Sequence, residues 1–351
     1  MPERSTATLA DVAELAGVSL ATASRALNGS TRKVRPESTE RVHAAARELR
    51  YTANVQAQAV ARGTTTSLAL VVGDIADPYF AAIAAGAIRA ADDAGLVVTI
   101  TSTGGDATRE REVLAVVAGL RPRAVVLAVS RHLGGALADV HDAVAVLTAG
   151  GAGVSALVSD VDGATAGIEG VHPLVVRNRA GAADLAEALV EQGHRSFAVL
   201  AGDPELVTAH ARVEGFVAGL AAHGIRLEDS AFLHSAFTRD GGYEAMCRLL
   251  DAGSPPRCVF AVTDLMAVGA LAAIRERGLV PGVDVGVAGF DDVRMLADVT
   301  PALSTVRLPL EEIGARAVRR ALGTDDGTVD GAAGDGAEIA GAVVLRASTA
   351  R

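Results

Sequence analysis

The 351-residue sequence predicts a small all-α head followed by an α/β body of two doubly wound parallel-sheet lobes. Three observations predict this. Residues 9 to 50 hold three short amphipathic patterns, each bracketed by cap and turn residues. From Ser67 onward, short β-branched apolar runs alternate with longer amphipathic ones, as successive βα units do. The chain is also too long for one ordinary core, at a prior of ~150 residues per domain.

In the head, Thr8 caps a first helix, LADVAELA, with Asp11 three positions on completing a capping-box pattern and Gly17 supplying the positive φ that ends it. Ser19 caps a second, LATASRALN, which Asn28 and Gly29 terminate. Pro36 opens a third that reaches about Arg50 and lines up Val42, Ala45, Ala46 and Leu49 on one face. Ala13, Gly17 and Val18 have helix-turn-helix spacing: a small residue where the helices cross, a glycine in the turn, an apolar residue beneath it. An ordinary αα-hairpin would show the same pattern. Asn54 to Arg62 reads as one more short helix, marginal alone, and GTTTS (63–67) as a linker.

In the body, strands are expected at 68–72, 97–100, 124–129 and 143–147, with helices at 79–94, 109–120 and 133–142. A second series places strands near 174–176, 196–201, 231–234, 258–262 and 285–289, and helices at about 180–192, 209–223, 239–251 and 265–277. The polar stretch 324–336 reads as a mobile loop. The expected boundaries are a head at 1–52, a hinge helix and linker at 53–66, and a body at 67–351. The body's first lobe takes about 67–176 plus 307–323, its second about 177–306 plus 337–350.

A hydrophobic fraction of 50% with 21% charged residues excludes a largely disordered chain. No apolar run reaches the roughly 18 to 20 residues of a membrane span, and the amino terminus lacks an apolar signal core, so a cytoplasmic protein without a membrane partner is expected. Cys247 and Cys258, eleven positions apart, indicate neither a disulfide framework nor a thiolate metal site. Charge is divided unevenly. Residues 1–66 hold nine Lys/Arg against six Asp/Glu, so the head carries +3 and the remainder −13. A basic head on an acidic body suits a head that meets a polyanion.

Catalytic signatures are missing: GxxxxGK[ST], HExxH and GxSxG do not occur, and the eight histidines do not cluster at ligand spacing. Gly151, Gly153 and Ala156 form a GxGxxA, but the β-like VSALVSDVDG that follows cannot supply the helix a pyrophosphate needs. An enzyme, a metal and a cofactor are therefore not expected.

The stretch Thr8 to Gly63, with its ALNG, TERVHAAARELRY and closing ARG, resembles the LacI family of bacterial transcription regulators. The resemblance continues through DIADPYFA (74–81), EQGHRSFAVLAG (191–202), RVEGFVAGL (212–220), TDLMAVGAL (263–271), VGVAGFDD (285–292) and LRASTA (345–350). It implies a homodimer whose second helices enter successive major grooves of operator DNA while paired hinge helices enter the minor groove. Leu20, Ala21 and Arg25 then take the base-reading positions, with Ser19, Thr22, Ser24 and Asn28 as phosphate or base contacts. The Arg25 fork can bond guanine O6 and N7 together, worth about 1–3 kcal/mol of discrimination; without DNA it would be a solvated helix arginine. In the hinge, where Asn54 is another implied contact, Val60 replaces the usual leucine wedge and reaches less far. Arg35 replaces a serine cap and would contact phosphate instead.

The body resembles periplasmic sugar-binding proteins, which implies a small-molecule effector, a sugar or related carbohydrate, bound between the lobes. The matching positions are Asp77, Tyr79, Phe80, Arg212, Phe237, Asp264 and Asp291. Carboxylates accept hydroxyl hydrogen bonds, a guanidinium donates several, and aromatic faces stack on sugar C–H groups. Phe80 and Phe237 equally suit the core, and Arg212 an internal pair with Glu214 or another acid. Leu308 replaces a common glutamine and Arg177 a common aspartate, so carbohydrate rests on the resemblance alone. The function implied is a repressor released from a palindromic operator by its effector. A corepressor-dependent regulator of the same fold, or a solute-binding protein, is the alternative, the basic head weighing against the latter. A dimer is favoured over a tetramer because no heptad tail closes the sequence.

Overall fold

The computed structural model describes residues 7–28, 34–52, 65–133, 141–160, 169–253, 256–325, 328–329, 332–333 and 338–350. Asn54 and Val60 lie outside the described residues, as does the side chain of Asn28. Two compact units result, Met1–Thr65 and Thr66–Arg351.

The head contains α1 (Leu9–Leu15), α2 (Leu20–Asn28) and α3 (Pro36–Glu48). The capping box at Thr8 closes in both directions, Asp11 N–H donating to Thr8 Oγ1 at 3.3 Å and Thr8 N–H to Asp11 Oδ2 at 2.7 Å. Gly17 turns the chain at φ 62°. Val12, Ala13, Ala16, Ala23, Val42, Ala45 and Ala46 form the core, and their small size lets three short helices approach closely.

The first lobe is built on a six-stranded parallel sheet with β1 (Ser67–Val72), β2 (Val97–Ser102), β3 (Ala124–Ala128), β4 (Gly153–Ser159), β5 (Val171–Val176) and β13 (Glu338–Ile339), in the order β13-β5-β4-β3-β1-β2. Alternation along β1 divides the core. Leu68, Leu70 and Val72 pack with Ile83 of α4 (Pro78–Asp93) and Ile313 of α11 (Leu310–Ala321). Ala69 and Val71 face the other way, onto Val113 and Leu114 of α5 (Ala107–Leu120) and Val144 of α6 (His141–Ala149). Each fully buried leucine or valine contributes about 1.5–3 kcal/mol. Helices α4 and α11 meet at glycines: a Cβ on Gly86 would lie 1.7 Å from Glu311 O, and one on Gly314 1.9 Å from Ile83 O.

Two expectations are corrected here. Residues 143–147 form the middle of α6, not a strand; Val144 and Leu147 are buried at helical spacing while Val146 is 60% exposed. The strand is β4, in the glycine-rich stretch, because Val154, Ala156 and Val158 can be buried between β3 and β5. The expected helix at 133–142 falls mostly outside the described residues. The 337–350 segment, assigned to the second lobe, divides instead: β13 covers the free edge of β5, with Arg177 N–H donating to Ile339 O.

The second lobe carries β6 (Phe197–Gly202), β7 (Phe232–His234), β8 (Cys258–Ala261) and β9 (Gly286–Ala288), parallel, in the order β7-β6-β8-β9. Its helices are α7 (Asn178–Glu191), α8 (Val207–Ala222), α9 (Arg239–Asp251) and α10 (Asp264–Glu276). An antiparallel pair, β10 (Thr305–Arg307) with β14 (Ala342–Val344), joins it through bridges Ala288–Ser304 and Asp291–Arg307. Within the 324–336 stretch, β11 (Thr328–Val329) pairs with β12 (Ala332–Ala333), and most of the rest lies outside the described residues. Neither Cys247 nor Cys258 forms a disulfide.

Candidate ligand cleft and nucleic-acid surface

In doubly wound sheets ligands sit beyond the carboxyl ends of the strands. The candidate residues of the body collect there. Asp77 follows β1 and caps α4, its Oδ1 accepting from Tyr79 N–H at 2.9 Å. Tyr79 and Phe80 stack edge to face, 5.0 Å between centroids. Desolvation raises the pKa of the Tyr79 hydroxyl, and Asp291, Arg212 and Asp77 all act on it electrostatically, so groups of both lobes lie within electrostatic reach of it.

Arg212, on the second turn of α8, is only 1% exposed. Its Nε donates to Asn178 Oδ1 (2.9 Å), Nη1 to Val262 O (2.8 Å) and Nη2 to Asp291 Oδ1 (2.7 Å), and its Cζ lies 3.9 Å from the Phe290 ring centroid. Its acid partner is therefore Asp291, while Glu214 faces His210 at 3.4 Å. Burial pushes the Asp291 pKa up to about 6 despite the guanidinium, whose charge and hydrogen bonds pull it down.

Asp291 has a φ of 114° and Asp292 one of 52°, backbone conformations that cost about 1–3 kcal/mol each in a non-glycine residue. Asp292 anchors this bend, accepting from Arg307 Nε at 2.7 Å and from both Nη atoms of Arg346 at 2.8 and 3.0 Å. Asp264 is placed differently from a ligand-facing carboxylate. Its Oδ1 accepts from Thr305 Oγ1 (2.6 Å) and its Oδ2 from Val293 N–H (2.9 Å), beneath Gly289, so it fixes the bend from behind. Desolvation holds its pKa well above the usual carboxylate range. Phe237 packs on Gly202, at the carboxyl end of β6, half-buried.

The lobes also touch across this region. Val207 N–H donates to Arg131 O (2.9 Å), Leu133 N–H to Glu205 O (2.7 Å), and the Ser130 and Thr208 hydroxyls lie 2.8 Å apart. Sequence reasoning missed Ser130, Thr208, Asn178, Phe290, Asp292 and Arg346. The doubled aspartate after Phe290 signals the bend; the others are isolated polar or aromatic positions with no local pattern. Leu308 is buried and Arg177 reaches Glu338 at 3.7 Å.

On the head, α2 turns Leu20, Ala21 and Arg25 outward while Ala23 is buried. Leu20 is 54% exposed, and Arg25 is exposed beside it on the same helix. Ser19 Oγ accepts from Thr22 N–H at 3.2 Å and lies 2.8 Å from the Thr22 hydroxyl, so both serve the cap of α2. Ser24 is half-buried. Arg35 precedes Pro36 at the start of α3 and makes no side-chain cap. The surface offered is a short apolar and guanidinium face flanked by hydroxyls.

The head and the body each match a family model. Residues 8–54 match the model of bacterial regulatory proteins of the lacI family, and residues 186–349 that of a periplasmic binding protein-like domain. The HTH-type transcriptional regulator GalR of Escherichia coli (strain K12) is 31% identical over 91% of this chain and 90% of its own length. A lac repressor dimer solved on operator with the anti-inducer ONPF has a TM-score of 0.80, at 25% identity, over 99% of this chain and 100% of that one. The regulator CelR in complex with cellobiose has a TM-score of 0.67, at 28% identity, over 97% and 99%.

Proposed function

The chain belongs to the LacI family of bacterial regulatory proteins, and on that premise we propose that it is a repressor whose homodimer leaves a palindromic operator when a sugar or related metabolite enters the Arg212–Asp291 cleft. One observation carries the reading: a buried, strained polar cluster in the second lobe lies within electrostatic reach of Asp77 and Tyr79 of the first. A ligand bonding to both sets shifts the equilibrium between lobe arrangements by its differential affinity, and linkage makes that shift felt at the operator.

Asp77, Tyr79, Phe80, Arg212, Phe237 and Asp291 are the residues assigned to the effector. Ser19, Leu20, Ala21, Thr22, Ser24, Arg25, Asn28, Arg35, Asn54 and Val60 are assigned to DNA. The relatives are transcriptional regulators, which supports a protein without catalytic activity that works in the cytoplasm; no described helix is long and apolar enough to cross a membrane. The test is to select operator fragments with the purified protein and follow their binding by fluorescence anisotropy while sugars are added. Release by a sugar is expected. Tightening would establish the corepressor alternative, and failure to select any DNA would overturn the assignment.

A further inference from the structure

The chain passes between the lobes from β5 into α7 at residues 176–178, from β10 into α11 at 307–310, and from β13 into β14 at 339–342. These passages are fastened to one another. Arg177 N–H donates to Ile339 O at 2.9 Å, and Arg307 lies opposite Ala342 in the β10–β14 pair. The second and third passages run so close that a Cβ on Gly341 would sit 2.5 Å from Val306 Cγ1. A change in how one lobe sits on the other has to be taken up by these few residues.

The bend after β9 is laced into this bundle through its main chain. Asp291 N–H donates to Val306 O at 2.8 Å and Leu308 N–H to Asp291 O at 3.2 Å, so the residue assigned to the effector and the second passage share a ladder. Asp291 and Asp292 both hold positive φ, a strained arrangement that persists only where the surroundings over-determine it. The Asp292 carboxylate supplies that determination. It accepts from Arg307, the last residue of β10, and from Arg346, two positions past β14. Arg346 is fixed in turn, giving Nη1 to Leu303 O at 2.7 Å and its N–H to Ser304 Oγ at 2.8 Å. Burial raises the pKa of Asp292, but the hydrogen bonds from Arg346 and Arg307 outweigh it and hold the carboxyl below its usual value. One anion, gripped by two guanidinium groups, is thus common to the bend and to two of the lobe connections.

We propose that Asp292 is a positioning residue for regulation: it couples the bend that carries Asp291 to the strands on which the lobes turn, and so sets operator affinity from a distance. This rests on the preceding assignment of the effector to Asp291. Under that assignment the unliganded arrangement is the one that holds the operator, and the Asp292 tie stabilises it.

The test needs no effector. An operator fragment selected from random duplex DNA by the wild-type protein is titrated with full-chain variants at a temperature well below their Tm. Asp292→Asn keeps the shape and tolerates a φ of 52° but gives up the charge, while Arg307→Gln removes one grip from the exposed side. Both are expected to weaken operator binding at least about fivefold. Val259→Ala, a truncation in the core strand β8 that lowers Tm, is expected to leave operator affinity unchanged, because lost stability alone does not reach the DNA. Unchanged affinity in either folded variant, or an equal loss in Val259→Ala, overturns the proposal and makes Asp292 a purely structural clamp. If Asp292→Asn does not fold, Arg307→Gln decides alone. A sugar screen without a hit overturns the effector assignment and leaves this measurement as it stands, so the two fail separately.

Discussion

At the scale of single residues, charge balance decides most outcomes. Replacing Arg212 with Ala strands a buried Asp291 carboxylate and should cost about 3–5 kcal/mol, measured by chemical denaturation of the unliganded protein. Arg25→Ala should weaken specific operator binding by about 1–3 kcal/mol without changing stability; unchanged affinity in anisotropy would remove Arg25 from the reading face. Asp291 also sets a pH dependence. Its folded pKa of about 6 exceeds an unfolded value of ~3.9, so the stability it contributes is present in full below ~3.9 and lost as pH rises through about 6. Asp77 and Asp264, raised as well, act with the same sign. The unliganded body should melt higher near pH 5 than near pH 7, and a Tm that climbs across that window would contradict the burial of these groups. An internal partner for Arg212 was legible in the sequence. Its identity was not: Glu214 is two positions on along the same helix and points away, whereas Asp291 is reached only through the fold of the sheet.

At the scale of elements, the packing of α4 on α11 is the sharpest test. Helix propensity favours alanine over glycine by ~1 kcal/mol. At Gly314 the added Cβ would meet Ile83 O at 1.9 Å, so Gly314→Ala should instead destabilise by about 1–3 kcal/mol, read from its unfolding midpoint. Helix starts were readable because caps are local chemistry: Thr8 with Asp11, Ser19, and Pro36 all stand where the sequence placed them. The run AVAVL was misread because alternation of small and β-branched residues suits a strand and a half-buried helix alike. Only the gap between β3 and β5 chose VSALVS for the sheet and left 143–147 to α6.

At the scale of the whole molecule, the head and the body carry opposite net charge. Deleting residues 1–66 removes the +3 unit, and the remaining chain should keep its melting behaviour and effector response while losing operator binding. Retained sequence-specific binding would place the reading surface elsewhere. Operator affinity of the full homodimer should fall steeply with salt, since each phosphate contact releases condensed counterions.

By itself the sequence determined the helix-turn-helix head, the α/β class of the body and the family, because caps, hydrophobic periodicity and ordered motifs are encoded within a few residues of one another. It also named Arg212 and Asp291. The tertiary structure decided which acid meets Arg212, that Asp264 spends both oxygens holding the bend rather than facing a ligand, and that β13 closes an edge of the first sheet. Those outcomes depend on residues brought together from dozens of positions apart. A buried charge takes whichever partner the packed strands bring within hydrogen-bond reach, and no local pattern carries that information.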